Sequence, residues 1–194
     1  MNAAEMEAGI RLFLQGVGER FAGDDLEATP GRVAKAWAED LLSGYGRDPE
    51  RDLTWTPAPA GAGPVVVRDV RFASICVHHL LPFSGLAHVA YLPGKRLAGL
   101  SKIGRVVDAL SRRLQIQERL TAEIGEVLDR VLEPRGVLVA LEAEHTCMTL
   151  RGVRKEGSRL VTVASTGVYH SDPESRREAL SLVGLGAGSL HGGS

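Results

Sequence analysis

At 194 residues with 44% hydrophobic side chains, the chain has the length of one domain with appendages and can bury a real core. Charge is balanced, 23 basic residues against 24 acidic, so no basic stripe invites nucleic acid. No apolar run approaches a membrane span, and the acidic start MNAAEMEAGI lacks the apolar stretch of a signal peptide. The protein therefore reads as cytoplasmic, where two cysteines are thiols or ligands before they are a disulfide.

Residues 1–55 are expected to form an N-terminal helical region. In AGIRLFLQGVGERF, Ile10, Leu14, Val17 and Phe21 recur at helical spacing. EATPGRVAKAWAEDLLSGYG predicts a second helix, capped by Thr29, with Pro30 at its first position and an end at Ser43-Gly44. Val33, Trp37 and Leu41 would form its buried stripe, while Arg32 and Lys35, three apart, share another face. The Pro- and Gly-rich TPAPAGAGP, residues 56–64, reads as a linker.

Over 65–183 the period changes. PVVVRDVRF and LAHVAYLP are short and β-branched or alternating, and read as strands. A helix opening at Ser101 is marked by Ile103, Val106, Val107, Leu110 and Leu114. A second, ending at EPRG, is marked by Leu120, Ile124, Val127, Leu128, Val131 and Leu132. GVLVALEAEHTCMTLRGV and SRLVTVASTGVYH then look like two long strands joined across RKEG. Strands and helices come in runs, which is an α+β pattern. The Gly-rich tail, 184–194, is expected to be flexible.

The chemistry concentrates in SICVHHLLPF. Cys76 and His79, separated by Val77 and His78, can reach one ion from a tight turn. The other cysteine, Cys147, would share a strand face with His145, Thr149 and Arg151 by the period of two. If the fold brings Cys147 to Cys76, three protein ligands leave a fourth tetrahedral position for water, as in catalytic zinc sites. His78 and His145, each beside a ligand, are natural proton carriers. The plainer alternative is a buried cysteine with a partly buried histidine and no metal.

Five stretches, TPGRVAKAW, CVHHLLPFSGLAHVAYLP, GLSKIGRVV, RRLQIQERLT and EAEHTCMTLRGV, resemble the motifs of GTP cyclohydrolase I in order and at similar spacing. The resemblance implies a Zn2+ site at Cys76, His79 and Cys147, with proton transfer by His78 and His145. It implies that Gln117 and Glu118 are substrate contacts, with Glu118 reading the N1–H and 2-amino edge of guanine. The phosphate-binding positions would match Arg32, Lys35, Lys102, Arg105 and Arg151, with Ser101 beside them, and all five are basic here. It implies the tunnelling fold (T-fold): an antiparallel sheet with two long helices and an N-terminal helical extension, assembled as a homo-oligomeric barrel, typically a decamer. The reaction implied is opening of the GTP imidazole ring by zinc-activated water, loss of formate, and rearrangement to 7,8-dihydroneopterin triphosphate for tetrahydrofolate biosynthesis.

One residue departs from the pattern. The family motif reads Cys-Glu-His-His, and Val77 takes the place of the glutamate. A carboxylate there could orient a histidine or hold a substrate hydroxyl, and valine can do neither. VTVASTG also departs from the serine- and arginine-containing form common in the family. Three readings stand: a complete cyclohydrolase, a divergent one that stops at a formamidopyrimidine or serves a specialised purine-derived pathway, and a non-catalytic zinc-stabilised nucleotide-binding protein.

Overall fold

The computed structural model describes residues 1–18 and 26–186. Phe21 and the last residues of the tail, 187–194, lie outside them. The N-terminal extension opens with α1 (Ala3–Val17), capped by Asn2, whose side chain accepts from the Glu5 amide. Next come α2 (Thr29–Ala36), a π-helical turn (Trp37–Leu41), a 3-10 turn (Ser43–Gly46) and α3 (Pro49–Asp52). The expected second helix is therefore two pieces. Its N-cap is Ala28, with no side-chain cap bond, rather than Thr29. The register slips at Trp37, whose carbonyl accepts from the Leu42 amide five residues on. That slip turns Leu42 inward, so Pro30, Ala34 and Leu42 are buried while Val33, Trp37 and Leu41 are only half-buried.

The extension is docked by backbone. A Cβ on Gly44 would lie 2.2 Å from the Ala109 carbonyl, so only glycine allows this approach. The Gly44 amide donates to Arg112 O at 3.0 Å, and Arg113 Nε returns a bond to Gly44 O at 3.1 Å.

The body is α+β. Strands β1 (Trp55–Pro57), β2 (Val65–Cys76), β3 (Pro82–Leu92) and β4 (Arg96–Ala98) precede α4 (Leu100–Ser111), β5 (Leu114–Gln115) and α5 (Gln117–Leu132). Then follow β6 (Gly136–His145), a helical turn α6 (Thr146–Thr149), β7 (Leu160–Gly167), the turn α7 (Val168–Ser171) and α8 (Pro173–Leu182). Five strands make one sheet in the order β5-β2-β3-β6-β7, antiparallel except for the short β2–β5 pairing. Thr56 and Pro57, at the start of the expected linker, instead pair with Leu97 and Arg96 in a second, two-stranded sheet. Leu114, expected on the first long helix, lies in β5 against Ile75.

Helices α4 and α5 cover one face of the sheet, burying Ile103, Val106, Leu120, Ile124 and Leu128 against Ala87, Val89, Val137 and Val139. Helix α8 covers part of the other, where Ala179 and Val183 meet Ala90, Leu138 and Ala140. Two covered faces explain why β6 opens with a continuous apolar run, VLVAL, rather than an alternating one. The cap that starts α8 was readable in SDPES: Asp172 accepts from the Glu174 and Ser175 amides and Pro173 occupies the first turn. Among the described residues no helix is long and apolar enough to cross a membrane.

Candidate active site and metal centre

Where β6 ends decides the site. The strand was expected to run on through Cys147 and Arg151, but it stops at His145 and the chain winds into α6. The reason lies on the neighbours. His145 pairs with Phe83, and the next residue of β3 is Pro82, which has no N–H to extend the ladder. On the other side β7 begins only at Leu160, opposite Ala143. With no partner left, Thr146 donates its hydroxyl to Pro82 O at 2.6 Å and its carbonyl accepts from the Leu150 amide. Cys147 thus reaches the site by a helical turn, not by strand alternation.

Cys76 arrives as the buried last residue of β2, packed into the main core. The turn 77–80 then folds back on it: Leu80 N donates to Cys76 O at 2.9 Å, and Cys76 N to Leu81 O at 2.9 Å. To close that turn Leu80 takes a left-handed backbone (φ 54°) and leaves its side chain exposed. The turn brings His79 Nδ1 to 3.8 Å from Cys76 Sγ and His78 Nδ1 to 4.0 Å. The ligand atoms of Cys76, His79 and Cys147 all lie within 4.8 Å of one another.

These residues fit a zinc ion. Bonds of about 2.3 Å to sulfur and about 2.0 Å to nitrogen, at the tetrahedral angle, put S and N about 3.5 Å apart. The observed 3.8 Å needs only a small contraction. The charges agree. Burial, and then the Cys76 sulfur beside it, push the Cys147 thiol above its ordinary value, and Arg151 opposes them. A cation held between the two sulfurs would favour the Cys147 thiolate against that burial.

His145 stands beside this cluster, with its ring stacked on Phe83 at 4.4 Å between centroids and 4° between planes. Burial pushes its imidazole below the ordinary value, and the Glu118 carboxylate, on the first turn of α5, acts the other way. Its Nε2 lies 2.8 Å from Gln117 Oε1. Gln117, expected among the substrate contacts, is 1% exposed, and its amide nitrogen is shared among Leu141 O, Leu160 O and Thr162 Oγ1. Val77 is exposed on the turn, held by a backbone bond to Gln115 O at 3.0 Å. Glu142 and Glu144 share the other face of the sheet, paired with Leu86 and Ser84, and Glu142 is bound to Arg159 at 2.7 Å.

The cations divide. Arg151 is near enough to Cys147 to act on its thiol. Ser101 and Lys102 sit on the first turn of α4 and Arg105 on the second, whereas the β2 end that bears Cys76 meets β5, just past the finish of α4. From Ser101 to Arg112 the helix rises roughly 16 Å. Ser101 and Lys102 thus stand close to a helix length from the β5 end of their own chain, and Arg105 stands one turn nearer. Arg32 and Lys35 lie on α2, which packs against α1 and the π-turn, and Lys35 Nζ is 3.9 Å from Glu39.

Residues 6–184 match the sequence profile of GTP cyclohydrolase I. A GTP cyclohydrolase 1 of Geobacillus kaustophilus is 46% identical over 184 residues, covering 94% of this chain and 97% of its own. One from Streptococcus agalactiae serotype Ia is 44% identical over 186 residues, 95% of this chain and 99% of its own. The chain belongs to the GTP cyclohydrolase I family. It is accordingly a GTP cyclohydrolase I-like enzyme. The crystal structure of an apo archaeosine synthase, QueF-Like, aligns over 55% of this chain and 96% of its own with TM-score 0.47 at 20% identity, a likeness too slight to bear on the fold. Of the candidate site residues, the cysteines, His78, His79, His145, Glu118 and Arg151 gather at one end of the sheet.

Proposed function

We propose that the protein opens the imidazole ring of GTP with Zn2+ held by Cys76, His79 and Cys147, releases formate, and closes the product to 7,8-dihydroneopterin triphosphate. The observation that carries this reading is the convergence of two thiols and an imidazole within 4.8 Å, in a member of this family. When bound, zinc supplies the Lewis acidity that makes a water nucleophilic near neutral pH. The chain's own residues do the rest. His145, clamped against Phe83, and the exposed His78 move protons as the ring opens. Glu118 accepts from the guanine N1–H and 2-amino group, so a base lacking those donors leaves the carboxylate unpaired. Arg32, Lys35, Ser101, Lys102, Arg105 and Arg151 hold the triphosphate.

In this reading the phosphate set is completed by a neighbouring copy, because Ser101 and Lys102 lie at the opposite end of α4 from the Cys76 turn of their own chain. The sheet has two free edges suited to this: β7 on one side, and on the other the part of β2 before its two-residue pairing with β5. The strands β2, β3, β6 and β7 alternate in direction, so β7 of one copy meets β2 of the next antiparallel. Leu160, Val161 and Val163 are the exposed large apolar residues of β7. Head-to-tail pairing of this kind closes into a barrel, the tunnelling fold, in this family typically a decamer. The protein works in the cytoplasm, feeding tetrahydrofolate biosynthesis.

The test is incubation of the zinc-loaded protein with GTP, following GTP and formate by chromatography and pterin by fluorescence after oxidation. Formate and pterin in equal amounts are expected. Unchanged GTP sinks the reading and leaves a nucleotide-binding protein. Guanosine is expected to bind far more weakly than GTP, since each charged hydrogen bond lost costs about 1.5–3 kcal/mol. Equal affinities by calorimetry would remove the phosphate role.

Val77 favours a second reading, a reaction that stalls at the ring-opened formamidopyrimidine. Neither Glu142 nor Glu144 replaces the motif carboxylate, since both face away from His145. On that second reading, and not on the first, Val77→Glu raises pterin formed per GTP consumed by up to about tenfold, the lower end of what a missing outer-sphere group costs. One-for-one conversion by the parent, with no gain in the variant, would make valine harmless.

A further inference from the structure

The hydrogen bonds around Gln117 have only one consistent set of directions. Carbonyl oxygens accept and never donate. Thr121 Oγ1, 2.7 Å from the Gln117 carbonyl, must therefore donate its single proton there. Thr162 Oγ1, 2.6 Å from Thr121 Oγ1, must then donate to Thr121, which leaves it an acceptor toward Gln117. Leu141 O and Leu160 O, 3.1 and 2.9 Å from the Gln117 amide nitrogen, are also acceptors. Reversing the amide would press its oxygen against two carbonyl oxygens in a site 1% exposed. Gln117 Oε1 therefore faces His145, and an amide oxygen only accepts. The proton at that 2.8 Å contact belongs to His145 Nε2.

We infer that Gln117 is a positioning residue, which locks His145 in its Nε2–H tautomer through the Thr121–Thr162–β7 network and leaves Nδ1 as the nitrogen that exchanges protons with the substrate. Phe83, stacked at 4.4 Å, fixes the plane of the ring, and Gln117 fixes which edge carries the hydrogen. The amide hydrogens of Gln117 are engaged inside the chain, and its oxygen faces His145 on a side chain only 1% exposed, so the amide is turned to the protein rather than to GTP. Only the role of His145 in catalysis rests on the cyclohydrolase reading. The tautomer does not, because it follows from the protein's own bonds.

The experiment separates the two. The zinc-loaded protein is labelled with 15N-histidine, and solid-state spectra are taken at alkaline pH, where imidazoles are neutral. His145 is assigned by the signals lost in His145→Asn. The parent is expected to show a protonated Nε2 and an unprotonated Nδ1 at His145, and a protonated Nδ1 overturns the inference. In Gln117→Met the expected result is a mixture of tautomers, with kcat for GTP lowered about 10–100-fold, as for other outer partners of site histidines, and KM changed less than about twofold. A raised KM with kcat intact would make Gln117 a substrate contact and overturn it too. Should the parent turn over no GTP, the functional reading falls while the spectra still decide the tautomer.

Discussion

Cys147→Ser is expected to lose its zinc and to lower GTP turnover by more than about a thousandfold, because water is left without a Lewis acid in a reaction that enzymes accelerate by at least about 10⁶. A serine hydroxyl stays protonated near neutral pH and is a poor zinc ligand, so the site would keep one thiolate and one imidazole. Cys147 lies half-buried on the turn α6, not in the packed interior, and Thr146 still ties that turn to Pro82. The fold should therefore survive, and circular dichroism should match the parent. Elemental analysis decides the matter: stoichiometric zinc in the variant would remove Cys147 from the ligand set.

Much of this site was legible in the chain, and the reasons differ by residue. Cys76 and His79 sit on one local turn, so their spacing carries the geometry directly. β6 was legible as a strand because GVLVAL is apolar without a helical period. Its end was not, since that end depends on Pro82, more than sixty residues earlier and adjacent only after β3 has paired. Cys147 was thus placed in the right company by the wrong geometry. The π-turn at Trp37 was hidden for a similar reason: its register slip is repaid by docking Gly44 on Arg112, a contact far away in sequence.

Gln117 shows a different limit. Its neighbour Glu118 is exposed, and both lie in the QIQERL motif, so sequence puts the two together as substrate contacts. A helix separates them: Glu118 projects outward on the first turn of α5, and Gln117 inward beneath β6 and β7. The partners that give Gln117 its direction, Leu141 O, Leu160 O and Thr162, come from strands that only the folded sheet brings together. The cations proposed to bind phosphate were legible as residue types and not as places. Nothing in GLSKIGRVV says that the head of α4 lies a helix length away from the Cys76 turn.

That separation leads to a large expected effect in mixed oligomers. Cys147→Ser should be inactive for lack of metal. Lys102→Ala/Arg105→Ala should be nearly so, for loss of two charged contacts worth about 1.5–3 kcal/mol each. If Lys102 and Arg105 served the Cys76 cluster of their own chain, every site in a mixed oligomer would still carry one defect, and mixing would restore nothing. If they serve the cluster of the next copy, a site pairing the intact metal half of one variant with the intact phosphate half of the other is whole. Random assembly of equal amounts across a head-to-tail contact makes about a quarter of the sites whole. Co-expression of the two variants with different tags, followed by purification through both, isolates mixed oligomers without presuming their subunit number. Their turnover per site is expected to reach about a quarter of the parent's, far above either variant alone. Doubly tagged oligomers with no more activity than the single variants would mean that each chain builds its own site, and the free edges of β7 and β2 would then have no catalytic purpose.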